Sequence, residues 1–547
     1  MSVYAKYLDP SFGTNGSFNL DITISGVSYP NTPTSIKAQS SGKLIVGGYT
    51  FNGTTNYITL IRYDLSLNAL DTSFGTNGIF VLSSFQSSYV GKTYILPDDK
   101  ILIVGSNSSN NAFIARINAN GDLDQSFGTN GIFLPLNGIL TNTNFHSLDV
   151  DSNGNIIIGG TKDSKLLLVK LTSAGNLDMT FNSVGYHLSR DSQQPTDINL
   201  ITYDFYPING ICTKFDLNGK ILACGNTAGI QEQAFLVRLN QNGTRDNTFA
   251  TNGLYIHPGK GGFYDIFLLA DGKYLVGGYY NHSYTNSLRA VRITQTGGLD
   301  FDLVSRPSVP DHSICNKILF TPDNKLVLFG SSYGSLSPGG DKIIVARYNY
   351  YTTNTTPTID DTTYGTNGYI VTNTNNNFSD VIIDSNNNKL VYIASAKNNT
   401  NNDYNIIKLY IGKDNPIITN YPSSITKTYT DSSFTLVDPS SNSNGSFSYT
   451  SSDTSIATIS GNIVTIVGVG TATITATQAE TSNFVSGTPL NSLTLTVNKA
   501  NPTITNFPSP ITKTYTDSSF TLVDPSSNSN GSFSYTSSDT SIATISG

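Results

Sequence analysis

The 547-residue chain has no tryptophan, two methionines, three cysteines and five histidines. Three thiols in this length exclude a disulfide framework as the source of stability. Cys212 and Cys224 flank one turn, and the sequence leaves the parity across that hairpin open; two buried thiols are the expectation. The histidines, His146, His187, His257, His282 and His312, stand one per connection without HxH or HxxxH spacing, so no zinc site and no His-based catalysis is expected. Charge is sparse, with 13% charged residues and a net −7, which leaves no basic footprint for nucleic acid. Nowhere do 18 apolar residues run together, so membrane insertion by a helix is not expected. The opening MSVYAKYLDPSFG lacks the basic and apolar regions of a signal peptide, so export would use a leader already removed or none. The Asn, Thr, Ser, Tyr and Gly that fill the space left are typical of an extracellular β protein, on a cell or a virus-particle surface.

What is abundant is repetition. LDPSFGTNG (8–16) returns as LDTSFGTNG (70–78), LDQSFGTNG (123–131), LDMTFNSVG (177–185), RDNTFATNG (245–253), LDFDLVSRP (299–307) and DDTTYGTNG (360–368). A repeat of roughly 50 to 70 residues points to a propeller or array. Each copy is followed by an apolar run and then a hairpin such as IKAQSSGKLIVGG (36–48) or IFLLADGKYLVGG (266–278). A fourth strand carries one cation between apolar neighbours, as in ITLIRYD or FLVRLN. Four short strands with Asn/Gly/Asp turns, repeated seven times, form the blade unit of an all-β, seven-bladed β-propeller. The Asn-Gly pairs supply positive φ, and the Gly-Gly after the third strand lets neighbouring blades approach. The chain opens on half a blade and YNIIKLY (404–410) ends the seventh repeat without its partner, so the N-terminal strand from Ser17 is expected to close the ring.

This grammar, with its Asp, Phe-Gly-x-Asn-Gly, Gly-Lys-Ile-x-Val-Gly-Gly and Ala-Arg at matching places, resembles the delta-sixty repeat family of β-propeller proteins over residues 1–412. The resemblance implies a fold and no activity.

One position of every repeat holds a cation (Arg62, Arg116, Lys170, Arg238, Arg292, Arg347, Lys408) and another a carboxylate (Asp9, Asp71, Asp124, Asp178, Asp246, Asp300, Asp361). A catalytic site is built once and a packing device once per blade, so these read as blade-to-blade hydrogen-bonded pairs. The repeated turns belong on one face, and the connections that vary belong on the other. The largest of these are 187–210, 279–287 and 331–342, rich in Tyr, Ser, Asn and Gly as adaptable recognition surfaces are. Tyr203, Tyr206, Tyr279, Tyr280, His282, Tyr284 and Tyr333 are the candidate contacts to a partner, a glycan or protein on a target surface. Asp149, Asp151 and Asn153 have the opening spacing of a calcium loop but lack its closing carboxylate, which favours an Asx-rich turn. No metal and no cofactor is expected.

After Gly412 the pattern changes. Strict alternation in TATITATQ (471–478) and SLTLTV (492–497) marks strands with one buried face. The run YTSSDTSIATISGNIVTIVGVGTATITAT resembles the bacterial immunoglobulin-like domains of adhesin stalks, with Tyr449 where that family usually has Trp. Residues 413–500 are thus expected to form an immunoglobulin-like β-sandwich. Residues 501–547 repeat 415–461 with three differences, Thr503 for Ile417, Phe507 for Tyr421 and Pro510 for Ser424, and give the first half of a second such domain. The half is expected to be a fragment of a longer tandem array; the alternative is completion by a neighbouring chain, which would give self-association into a fibre. The expected function is a surface-exposed structural or adhesion protein, with a binding propeller and an immunoglobulin-like stalk. A secreted polysaccharide-acting enzyme that uses the propeller channel is the alternative; glycoside hydrolysis would need two carboxylates facing one another, for which Asp197, Asp204, Asp265 and Asp311 are candidates.

Overall fold

The computed structural model describes residues 4–24, 27–28, 30–107, 111–134, 142–163, 165–189, 211–227, 232–281, 286–304, 313–321, 325–332, 342–350, 359–361, 364–366, 368–372, 376–385, 387–397, 403–481, 484–489 and 491–546. They fall into two compact units, Met1–Asn415 and Pro416–Gly547. Both are built from β-strands, and among the described residues the one helical element is the 3-10 turn Tyr4–Lys6.

The first unit is a β-propeller, and its repeat grammar becomes four antiparallel strands. In the first repeat, Asn31–Ala38 pairs with Leu44–Phe51, which pairs with Asn56–Asp64, which pairs in turn with the start of Ile79–Ile95. That last strand does not stop at the repeat boundary. Its second half pairs with Ile101–Asn107 and so forms the innermost strand of the second repeat. Leu254–Leu268 links the fourth and fifth repeats in the same way, pairing with Gln233–Leu239 and then with Tyr274–Asn281. The N-terminal strand Ser17–Leu20 pairs with Tyr404–Tyr410 of the last repeat, with Ser17 opposite Ile407 and Leu20 opposite Tyr404. Asp9 N–H donates to the Lys408 carbonyl (3.0 Å), and Gly365 N–H to the Tyr7 hydroxyl (2.7 Å), so the first SFGTNG copy is seated on the seventh repeat.

Central strands bury both faces, as Leu44–Phe51 and Lys325–Ser332 do, so their apolar side chains fill the spaces between successive repeats. One cluster joins Leu102, Val104 and Ile114 of the second repeat to Phe145, Ile156 and Val169 of the third. The inner strands are bulged at a matching place, between Pro33 and Ser35, Phe145 and Ser147, Phe263 and Asp265, Cys315 and Lys317, and Phe378 and Asp380. The bulge explains the second glycine of the Gly-Gly pair. A Cβ on Gly48 would lie 2.1 Å from the Thr32 carbonyl oxygen, and one on Gly160 2.1 Å from that of Asn144. The first glycine faces the next repeat instead: a Cβ on Gly47 would meet Thr93 Cγ2 at 2.6 Å. Gly48 serves both ends, because its Cβ would also meet the Tyr404 hydroxyl of the neighbouring last repeat at 2.5 Å.

The second unit contains an immunoglobulin-like domain. Ser424–Thr428, Leu493–Asn498, Gly470–Gln478 and Phe447–Ser451 form one sheet in that order, with a parallel pairing between the first two. Phe434–Thr435, Ile463–Ile466 and Ala457–Ser460 form another. Tyr421, Leu436, Tyr449, Val464, Ile474, Leu493 and Leu495 pack together as its core. In residues 501–546 the strands are Ile504–Thr505 and Ser526–Ser527, paired with each other.

Candidate functional site

Two sets of side chains organise the propeller. The first is the repeated cation and carboxylate. Arg62 Nε contacts Asp71 Oδ2 at 2.8 Å, Arg116 reaches Asp124 at 2.7 Å, Lys170 reaches Asp178 at 3.0 Å and Lys408 reaches Asp9 at 3.1 Å. Arg62 and Asp71 lie in one repeat, since Asp71 sits in the connection between two strands of the same sheet. The blade-to-blade contact is the guanidinium's other arm, which donates to a carbonyl of the following repeat: Arg62 to Ala119 (2.5 Å), Arg116 to Ser173 (2.7 Å) and Arg238 to Gln295 (2.6 Å). The expected inter-blade ion pair is thus an intra-blade ion pair plus an inter-blade hydrogen bond. The Phe of the motif supports it from below, with Arg62 4.9 Å over Phe74 and Arg238 4.6 Å over Phe249. Burial pushes the Asp71 carboxyl up, but hydrogen bonds from Lys43 and Ser73 and the charge of Arg62 outweigh it and hold it well below the usual carboxylate range.

The second set is not uniform: six repeats offer two serines, a cysteine, two aspartates and a lysine at one position. The residue opposite the first glycine position of the Gly-Gly pair is Ser35, Ser147, Cys212, Asp265, Lys317 or Asp380. These residues and their neighbours face the propeller axis. Of the six, Ser147, Cys212, Asp265, Lys317 and Asp380 line a cavity of about 170 Å³, together with Lys37, Lys92, Tyr94, Asp149, Lys214 and Asn316. Its carboxylates also hold neighbouring inner strands together. Asp380 Oδ2 accepts from Ile36 N–H (3.3 Å), Asp149 Oδ2 from Phe215 N–H (2.9 Å) and Asp265 Oδ2 from Ile318 N–H (2.9 Å). Lys37 pairs with Asp380 at 2.6 Å and Lys317 with Asp265 at 3.0 Å. Burial raises Asp149, with Lys214 opposing it, and the net shift is upward. For Asp380 the charges of Lys37, Lys92 and Lys317 override burial, and the net shift is downward.

Of the candidate partner contacts, Tyr203, Tyr206, His282, Tyr284 and Tyr333 lie outside the described residues, as do Asp197, Asp204 and Asp311. Tyr279 and Tyr280, expected in a surface loop, belong to strand Tyr274–Asn281, because its ladder to Asn286–Ile293 continues to Asn281 opposite Asn286. Tyr279 is buried, stacks on Tyr264 (5.6 Å) and donates its hydroxyl to Glu232 (3.0 Å), while Tyr280 lies under the Arg289 guanidinium at 5.0 Å. Asp149 and Asp151 use their oxygens on different partners. Asp151 Oδ1 accepts from Asn153 N–H (2.9 Å) and Asn155 N–H (2.8 Å), an Asx turn, while Asp149 turns to Phe215. Among the described residues no three His, Cys, Asp or Glu side chains converge as metal ligands would. His146, His187 and His257 sit in strands, not connections; His257 Nε2 is 3.3 Å from Asp302. Cys212 and Cys224 are direct cross-strand partners and both thiols are free.

Sequence reasoning missed Lys37, Lys92, Ser147, Lys214, Asn316 and Lys317. Aligning the repeats on the Gly-Gly pair and asking which offset changes most would have exposed Ser147 and Lys317.

A family model described as a β-propeller domain of unknown function (DUF5122) matches residues 39–74, 96–127, 217–249 and 269–300. The bacterial Ig-like domain (group 2) model matches residues 422–488. No curated protein sequence matches the chain significantly. Among solved structures, a catalytically inactive virginiamycin B lyase from Staphylococcus aureus is similar at 12% identity and a TM-score of 0.42, over 72% of this chain and 98% of that one. The Dos1 propeller is similar at 9% identity and a TM-score of 0.41, over 72% and 81%. The polysaccharide lyase Uly1 is similar at 10% identity and a TM-score of 0.41, over 71% and 94%. Likeness at this level says nothing of activity.

Proposed function

We propose that the chain is a surface-exposed protein of adhesion type, in which a seven-bladed propeller closed by Ser17–Leu20 does the binding and the immunoglobulin-like part acts as a spacer. Closure is supported by the Ser17–Leu20 ladder and by Ser17 Oγ donating to Asn405 Oδ1 at 2.8 Å. The blade count is supported by the seven copies of the cation and carboxylate. Surface exposure is supported by the bacterial Ig-like match. The observation that carries the binding role is the contrast between a recurrent belt of Arg–Asp and Lys–Asp pairs at one end of the strands and an inner lining whose chemistry is not recurrent. A polysaccharide-acting enzyme has less support, because Asp149, Asp265 and Asp380 are each committed to a backbone N–H of the next inner strand.

The test is a glycan array probed with the full chain and with chains shortened between the strands, within 282–285 and within 333–341. Retention by the full chain and loss in the shortened chains, at unchanged circular dichroism, is the expected result. Equal retention removes the variable face from the reading, and release of shortened saccharide by the full chain replaces binding with catalysis.

A further inference from the structure

The fourth repeat departs from its neighbours at two facing positions. Where the first, third and fifth repeats carry Gly47, Gly159 and Gly277, it carries Cys224, and the residue directly opposite on its inner strand is Cys212. A Cβ at those glycines would crowd the next inner strand, 2.6 Å from Thr93 or 2.9 Å from Ile211. The fourth repeat thus sets one thiol against another where the repeats beside it need a glycine. Direct antiparallel partners hold their Cα atoms about 4.5–5.5 Å apart, inside the range of about 4.4–6.8 Å that a disulfide spans. Both side chains lie on one face of the sheet, and the two thiols are hydrogen-bonded to each other. The third cysteine is placed differently: Cys315 lies opposite Gly330, and its Sγ donates to the Lys317 carbonyl (3.4 Å).

The two thiols differ in access. Cys224 is buried among Leu222, Leu236 and Phe263, whereas Cys212 is partly exposed and lines the axial cavity. Solvent reaches that cavity, since Lys37, Lys92 and Lys317 keep 25 to 33% of their side-chain surface exposed. Its volume of about 170 Å³ has room for a solute of a few heavy atoms, a water taking about 30 Å³. The thiols differ in acidity as well. The hydrogen bond from Cys224 holds Cys212 below the ordinary thiol value against burial and Asp265, and the charges of Lys317 and Lys214 add to the lowering. Burial pushes Cys224 well above that value. The thiolate is the nucleophile, so Cys212 is the attacking sulfur and Cys224 the resolving one.

We propose that Cys212 and Cys224 form a two-electron oxidation site, at which a small peroxide entering the axial cavity closes a cross-strand disulfide. The Cys212 thiolate attacks one oxygen of hydrogen peroxide and the O–O bond breaks. The hydroxide released takes up the proton that the thiol gave up, which leaves water and a sulfenic acid on Cys212. The Cys224 sulfur then attacks the Cys212 sulfur, the S–S bond forms, and the Cys224 thiol proton departs with the hydroxyl as a second water. Two thiols are oxidised and one peroxide is reduced to two waters. The bond joins Cys212–Phe215 to Ile221–Asn226, and so fixes the hairpin that brings Lys214 to the cavity. This site does not use the variable loops, and stands or falls apart from the adhesion reading.

The experiment treats the full folded chain with increasing hydrogen peroxide, unfolds it in an alkylating reagent and maps the tryptic peptides. Cleavage after Lys214 and Lys220 puts Cys212 and Cys224 on separate peptides, so a disulfide between them joins two peptides that reduction separates. The expected result is loss of two of the three alkylatable thiols, that joined pair in the map, and Cys315 alkylated throughout. Cys212→Ser is expected to slow thiol loss at least tenfold. Cys224→Ser is expected to halt at a sulfenic acid, trapped by dimedone on Cys212. Three alkylatable thiols at a peroxide dose that fully oxidises glutathione overturn the proposal. So does Cys212 carried to sulfinic acid with no joined peptides, or a cross-link that contains Cys315. Should either serine variant fail to fold, the peptide map of the parent chain decides alone.

Discussion

Residues 415–461 and 501–547 have nearly the same sequence and very different surroundings. Tyr421 is 7% exposed, while its counterpart Phe507 is 71% exposed. Bonds inside the copy are kept in both. Tyr449 donates to Asp438 at 2.6 Å and Tyr535 to Asp524 at 2.7 Å; Ile417 N–H donates to Asn442 and Thr503 N–H to Asn528, each at 2.8 Å. Lys427 lies 5.0 Å from Phe434, and Lys513 5.1 Å from Phe520. The ladder whose two strands both lie inside the copy is kept, Ile418–Thr419 with Ser440–Ser441 and Ile504–Thr505 with Ser526–Ser527, whereas ladders to residues beyond it are not. Phe447–Ser451 is a strand because Gly470–Gln478 lies beside it, and the same residues at 533–537 have no such neighbour and form no strand. Bonds whose two ends both lie inside the copy are therefore kept, even across the 25 residues from Ile417 to Asn442, whereas a strand needs the partner that completes its sheet.

The comparison is broken most decisively by supplying the partner. A chain extended by a second copy of 462–500 after Gly547 should gain slow amide exchange at Tyr535 and Ala543, matching Tyr449 and Ala457. Exchange that stays fast would show that Phe507 or Pro510 prevents the second copy from folding. Alkali should separate the copies next. Burial pushes the Tyr421 phenol up to about 12, so the folded domain prefers it protonated. Its contribution is complete below the unfolded tyrosine value near ~10 and is lost as pH rises through about 12. Unfolding of 415–500 followed by exchange should become easier over that window, and Tyr421→Phe should flatten the dependence. The smallest effect concerns one hydrogen bond. Tyr449→Phe should cost about 1 kcal/mol of domain stability, read from urea unfolding, and Tyr535→Phe should change nothing measurable.

The same division between local and long-range information decides what the sequence of the propeller discloses. The Asp-x-Ser-Phe-Gly motif is legible because its bonds are local: Ser73 N–H and Oγ both reach Asp71, two residues away. The bond from Arg62 to Ala119 crosses 57 residues and is invisible in any one repeat. Tyr279 and Tyr280 look like loop residues because their strand outlasts the Gly-Gly pair, and only the ladder to Asn286 shows it. Ser147, Lys214 and Lys317 line one cavity from three separate inner strands, so no spacing in the chain announces them.

Pairing Ser17–Leu20 with Tyr404–Tyr410 has a consequence in time. The hydrogen bond from Ser17 to Asn405 spans 388 residues, so during synthesis the first strand has no partner until nearly the whole propeller has been made. Until then Phe18 and Leu20, which pack against the cluster around Tyr404 and Ile406, have nowhere to go. Contacts of such sequence separation form slowly and leave sheet edges open meanwhile. The interval between emergence of the first repeat and arrival of the last is therefore when this protein is most exposed to pairing with the wrong chain.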